Sequence, residues 1–143
     1  MTFNMRKYEY IWEIADRSFK TEPKKKKMYS RAISARTRWK KNYNIPEETI
    51  DNLIKKYIEK KCQYCEDIIG LDNMALDHKT PISLDGNSSL NNLHIVCKRC
   101  NQRKGMLSHK SYKDLLKLIS GWQYKEKKYL LTQLTMQVWS KWN

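Results

Sequence analysis

Cys62-Gln63-Tyr64-Cys65 and Cys97-Lys98-Arg99-Cys100 are two cysteine pairs of identical spacing, and they contain all four cysteines of the chain. Leu76-Asp77-His78-Lys79 lies between them, and Asn101-Gln102-Arg103-Lys104-Gly105 follows the second pair directly. Structural zinc takes four ligands in a tetrahedron, and each CxxC pair supplies two thiolates from one turn of backbone. Cys62, Cys65, Cys97 and Cys100 therefore read as a structural zinc clamp that draws two distant stretches together. Four thiolates leave no open coordination position, so this metal holds the fold and takes no part in a reaction. In a small, charged chain such a metal adds stability that a modest core lacks.

Outward from the clamp, Met74 to His78 and Leu93 to Val96 read as short strands. The turn formers Leu84-Asp85-Gly86-Asn87-Ser88-Ser89 separate them. Cys100 to Leu107 reads as a short helix ending near Gly105. On the N-terminal side, Tyr8, Ile11, Trp12, Ile14, Ala15 and Phe19 recur at helical spacing within residues 5–19. Thr21-Glu22-Pro23 ends that helix, and Lys24 to Lys27 read as a solvated linker. Residues 28–43 look helical and carry Arg31, Arg36, Arg38, Lys40 and Lys41 without one acid, the best candidate for a phosphate-binding helix. Pro46-Glu47-Glu48 starts a further helix running to Lys61.

Beyond the clamp, Tyr112, Leu115, Leu116, Leu118 and Ile119 form a helix broken at Ser120-Gly121. Residues 122–142 read as a last helix burying Leu130, Leu131, Leu134, Val138 and one or both of Trp139 and Trp142. The expected fold is α+β and mostly helical. A small zinc-stabilised core, residues 62–107, sits between a basic helical arm, 1–61, and a C-terminal helical extension, 108–143.

Charge supports a polyanionic partner. The chain of 143 residues has a net charge of +14, with 29 Lys and Arg against 15 Asp and Glu. Residues 1–61 hold 17 basic against 8 acidic residues, residues 62–105 hold 5 of each, and residues 106–143 hold 7 against 2. The middle is neutral and both wings are basic, which suits a module delivered to a phosphate backbone by its flanks. No apolar run is long enough to span a bilayer, and the first residues carry no signal-peptide-like stretch. The expected location is the cytosol, with no membrane partner and no small-molecule cofactor.

Asp77-His78, then Asn92-Leu93-His94-Ile95-Val96-Cys97, then Cys100-Asn101-Gln102-Arg103-Lys104-Gly105 resemble the HNH endonuclease family over about residues 62–107. The resemblance implies a ββα-metal core: a two-stranded hairpin and a helix clasping one divalent ion. It implies that His78 is the general base, Asp77 the adjacent metal-binding acid, Asn92 the residue that orients the His78 ring, and Asn101 the last signature position, in an H-N-N form. Asn91 remains an alternative to Asn92. A carboxylate from Asp77 and an amide oxygen from Asn101 form a hard oxygen shell suited to Mg²⁺, with Mn²⁺ expected to substitute. Arg103 or Lys104 is expected to hold the phosphate. His94 is read as structural or a minor substrate contact, and His109 receives no role.

The activity implied is Mg²⁺-dependent hydrolysis of DNA phosphodiester bonds, by nicking or double-strand cleavage. One metal site per chain cuts one strand at a time, so double-strand cleavage needs successive nicks or a homodimer, for which the apolar C-terminal helix offers a face. The alternative is a non-catalytic zinc-ribbon protein that binds nucleic acid through its basic arms. Such a protein needs the cysteines but has no use for Asp77, His78 and Asn101.

Overall fold

A computed structural model describes residues 8–142. Three helices, α1 (Glu9–Ser18), α2 (Glu22–Tyr43) and α3 (Glu47–Tyr57), precede a hairpin of β1 (Met74–His78) and β2 (Leu93–Cys97). Three more follow it: α4 (Lys98–Lys104), α5 (His109–Leu118) and α6 (Tyr124–Trp142). The architecture is α+β and mostly helical, as the sequence pattern implies.

The chain Thr21-Glu22-Pro23 starts α2. The Thr21 hydroxyl accepts the Lys24 amide at 3.3 Å, Pro23 sits in the first turn and Glu22 faces the positive end of the helix. The four lysines expected as a linker are thus the opening turns of a 22-residue helix. Local capping outweighs the mutual repulsion of side chains that water screens well. Asn44 ends α2 in the left-handed conformation, φ 53°, which asparagine tolerates better than most residues. The chain then folds back into α3.

Met28, Tyr29, Ala32, Ala35 and Trp39 line the buried face of α2, and Ile50, Leu53, Ile54 and Tyr57 that of α3. They share one continuous apolar core with Ile11 and Ile14 of α1 and with Leu76, Leu93 and Ile95 of the hairpin. The helical arm and the cysteine-bearing segment are therefore packed on each other. The expected burial of Val138, Trp139 and Trp142, and the start of the first helix at residues 5–7, lie outside the described residues and side chains.

Arg36 departs from its expected role as a phosphate ligand. Its side chain is turned inward, 5% exposed, with Nε 2.7 Å from Asp51 Oδ1, its terminal nitrogen 2.9 Å from Asp51 Oδ2, and Tyr8 against its face. Tyr10 also donates to Asp51. Burial pushes the Asp51 carboxyl up, but the bonds from Arg36 and Tyr10 outweigh it and hold the group below the usual carboxylate range. Stability from this pair is thus full above the unfolded value of about 3.9 and is lost as pH falls through the lower folded value. Arg36→Ala is expected to cost about 2 kcal/mol, discounted from a fully buried pair because Asp51 is partly solvated. A thermal melt at neutral pH should show Tm lower by roughly 4–8 °C. An unchanged Tm would mean that the pair contributes nothing.

Candidate functional site

The two strands pair antiparallel in the register Met74↔Cys97, Ala75↔Val96, Leu76↔Ile95, Asp77↔His94 and His78↔Leu93. The cysteine end and the Asp-His end are thus opposite ends of one five-residue hairpin. After Tyr57 the chain leaves the helix, and Lys61 bridges Ile68 to close the first cysteine pair into a tight loop. Cys97 ends β2 and caps α4, its sulphur accepting the Cys100 amide at 3.5 Å.

All four Sγ atoms lie within 4.8 Å of one another, and Cys65 and Cys97 are 3.5 Å apart. A tetrahedral zinc with Zn–S of about 2.3 Å places its sulphurs about 3.8 Å apart, so the four thiols are close enough to hold such an ion. Within the cluster, hydrogen bonds with Cys100 and Cys97 hold the Cys62 thiol far below the usual range and push that of Cys100 up, so without a metal the four sulphurs share less than four negative charges. At the surface Arg99 ties the second knuckle to the first through Asp67 at 2.7 Å.

Successive strand residues face opposite ways, and β1 uses this to separate Asp77 from His78. Asp77, 4% exposed, faces α4. Its Oδ1 accepts from Lys104 Nζ at 3.0 Å, and its Oδ2 lies 2.5 Å from His94 Nε2 and 3.3 Å from the Tyr64 hydroxyl. That hydroxyl also meets His109 Nδ1 at 2.7 Å. The cluster ties the first cysteine knuckle, β1, β2, α4 and the start of α5 together.

His78 points the other way, towards α2. Its ring packs edge-on against Tyr43, centroids 4.8 Å apart, and its Nε2 lies 3.1 Å from the Ser88 hydroxyl. Burial lowers its pKa from the ordinary histidine value; Asp77 partly opposes this and Lys104 adds to it. The imidazole is biased towards its neutral form, the form a base requires.

The Asn92 amide is engaged with backbone on the loop side. Its Oδ1 accepts the Thr80 amide at 2.8 Å, and its Nδ2 donates to the carbonyls of Thr80 at 3.0 Å and Asn87 at 2.6 Å. It clasps the loop 80–92 at its neck. Gly86 is needed in that loop, since a Cβ there would stand 1.7 Å from the Thr80 carbonyl oxygen. The clasp delivers Ser88, next to Asn87, to the histidine. Ser88 thus fills the contact expected of Asn92, because the asparagine is at the loop's base and the serine is at its turn.

Asn101 lines a groove of about 300 Å³ between α2, β1 and α4, together with Arg31, Arg38, Trp39, Tyr43 and Lys98. Arg31, Arg38 and Lys41 are exposed, Arg103 is half-buried, and Lys40 reaches Glu47 at 3.2 Å. Lys104 also departs from its expected role as a phosphate ligand: 2% exposed and bound to Asp77, it is not placed to meet a phosphate. The donor chemistry of Asp77 and Asn101 suits a hard divalent cation. In this arrangement, however, the Lys104 ammonium stands against Asp77 Oδ1, where such a cation would bind. Sequence reasoning left Ser88, Tyr64 and His109 without roles. Only Lys104 carried a local signal, because it shares a helix face with Cys100 four residues earlier.

Residues 62–106 match the family model described as HNH endonuclease, so the resemblance read from the sequence holds over that stretch and supports a nuclease. No curated protein matches the chain. Among solved structures, the Type II-C Cas9 enzyme from Actinomyces naeslundii is similar at 22% identity, over 79% of this chain and 13% of that one, with a TM-score of 0.38. A likeness that loose carries no weight for fold or function.

Proposed function

We propose that this chain is a divalent-metal-dependent endonuclease that hydrolyses DNA phosphodiester bonds, with His78 as the general base. The observation that carries the reading is the adjacent pair Asp77-His78 at the end of β1, inside the matched stretch and braced by the cysteine cluster. With Nε2 engaged by Ser88, Nδ1 of His78 is the nitrogen that takes a proton from the attacking water. Tyr43 and Ser88 hold the ring in place and keep it largely out of bulk water. Asp77 and Asn101 would hold Mg²⁺, or Mn²⁺ in its place, which when bound supplies positive charge to the scissile phosphate.

Arg31, Arg38 and Lys98 around the groove supply the phosphate contacts, and the exposed lysines of α2 extend the basic surface. One observation favours a second reading, a non-catalytic nucleic-acid-binding protein: Asp77 is already neutralised by Lys104. Incubation with supercoiled plasmid across a metal series separates the two. Nicked or linear product is expected with Mg²⁺ or Mn²⁺ and none with chelator. Binding without product under any metal would favour the second reading. In the same preparation, Arg31→Ala with Arg38→Ala should reduce the slope of log affinity against log salt by roughly 2, about 0.9 per phosphate contact. An unchanged slope would remove these arginines from the interface.

A further inference from the structure

Among the described residues Lys104 is the most deeply buried lysine or arginine, and the proposed chemistry does not use it. Its ammonium donates to Asp77 Oδ1 at 3.0 Å and to the His78 backbone carbonyl at 3.0 Å, with a side chain 1% exposed. A cation bridging a carboxylate and a carbonyl oxygen is the arrangement a hard metal ion makes, here built from a lysine. α4 enforces it: the face that turns Cys100 into the cysteine cluster turns Lys104, one helical turn on, towards Asp77. The opposite carboxylate oxygen is taken by His94 and Tyr64, so Oδ1 is the side from which a metal would approach.

We infer that Lys104 is a resident counter-charge occupying the divalent-cation position of Asp77, and that metal binding there is coupled to its withdrawal. The inference rests on the nuclease reading, since it presumes that Asp77 is a metal ligand. Two cations do not share one buried carboxylate oxygen without strong repulsion, whereas a buried carboxylate left alone is itself costly. A removable ammonium satisfies both conditions: Asp77 is never unpaired, and divalent affinity is set by competition with the lysine. The flexible four-carbon stem of lysine suits it to leave. Stable pairing in the absence of metal also keeps α4 docked on the hairpin.

The test uses the zinc-loaded full chain without DNA. Mn²⁺ is titrated and its free-ion signal followed by electron paramagnetic resonance, for wild type, Lys104→Gln and Lys104→Gln combined with Asp77→Asn. Lys104→Gln is expected to bind Mn²⁺ at least tenfold more tightly than wild type, and the gain should vanish in the double variant. In wild type, acetylation read by mass spectrometry should find Lys104 protected without Mn²⁺ and modified once Mn²⁺ is bound. Equal or weaker binding by Lys104→Gln, or a lysine still protected at saturating Mn²⁺, overturns the inference. If Lys104→Gln fails to fold, the wild-type labelling decides alone. If wild type cuts DNA with metal yet neither measurement responds, the inference fails and the nuclease reading stands. If no protein shows Asp77-dependent Mn²⁺ binding, both fall.

Discussion

Cys97→Ser is expected to unfold the segment that carries the site, not merely to weaken it. A structural zinc contributes about 10–16 kcal/mol in small zinc domains, as much as or more than the 5–15 kcal/mol net stability of a typical domain. Cys97 is the costliest cysteine to lose because it belongs to three structures at once. It ends β2 opposite Met74, its sulphur caps α4 through the Cys100 amide, and it is one of the four thiols in the cluster. Without it the hairpin and α4 lose their common anchor, and Asp77 loses the helix that carries its partner Lys104. The variant should contain no stoichiometric zinc, show reduced helical circular dichroism and expose its remaining thiols to a thiol reagent. Chelating the metal from wild type should do the same, reversibly on zinc addition. A Cys97→Ser protein that melts at the wild-type temperature without zinc would show that the cysteines are only packed thiols.

His78→Ala should abolish cleavage while leaving DNA binding nearly intact. Positioned general bases contribute typically 10²–10⁴-fold to rate, and His78 lies outside the set of exposed arginines and lysines that would hold the backbone. Its small, enclosed ring removes little core when truncated, so folding should survive with a modest loss. The sign of the pH dependence follows from burial, which lowers the histidine's pKa. The base is active when deprotonated, so wild-type cleavage at saturating metal should climb with pH, reach half-maximum below about 6.5, and stay level above neutrality. A variant that retains a tenth or more of wild-type cleavage would remove His78 from the reaction. A limb centred above about 6.5 would mean that another group is being titrated.

Much of this was legible in the residues because the determining signals are local. Two CxxC pairs, a run of turn formers between apolar stretches and a glycine closing a short helix are each contained in a few positions. Together they give the hairpin, α4 and the cysteine cluster. What was not legible depends on partners remote in the chain. Arg36 looks like one more basic residue of α2 until α3 brings Asp51 to it. Lys104 looks like a phosphate ligand until the hairpin register sets Asp77 beneath α4. Ser88 takes the contact with His78 expected of Asn92 because the course of the loop 80–92 is set by backbone bonds that its composition does not reveal. The lysine run at 24–27 differs for the opposite reason: its signals, a capping threonine and a proline, are local, and they outweigh its charge.

The hairpin has a further consequence for how this chain can change length. The cysteine cluster fixes one end of the ten paired residues and the Asn92 clasp fixes the other, so the loop beyond the clasp can grow or shrink without disturbing either strand. Inside the strands, lengths are quantised. One inserted residue between Met74 and Asp77 would swap the faces of Asp77 and His78, sending the acid towards α2 and the imidazole beneath α4, whereas two would restore them. Homologues should therefore tolerate changes of length in the loop 80–92 more readily than in the strands, and differ by even numbers, or not at all, between Met74 and Asp77.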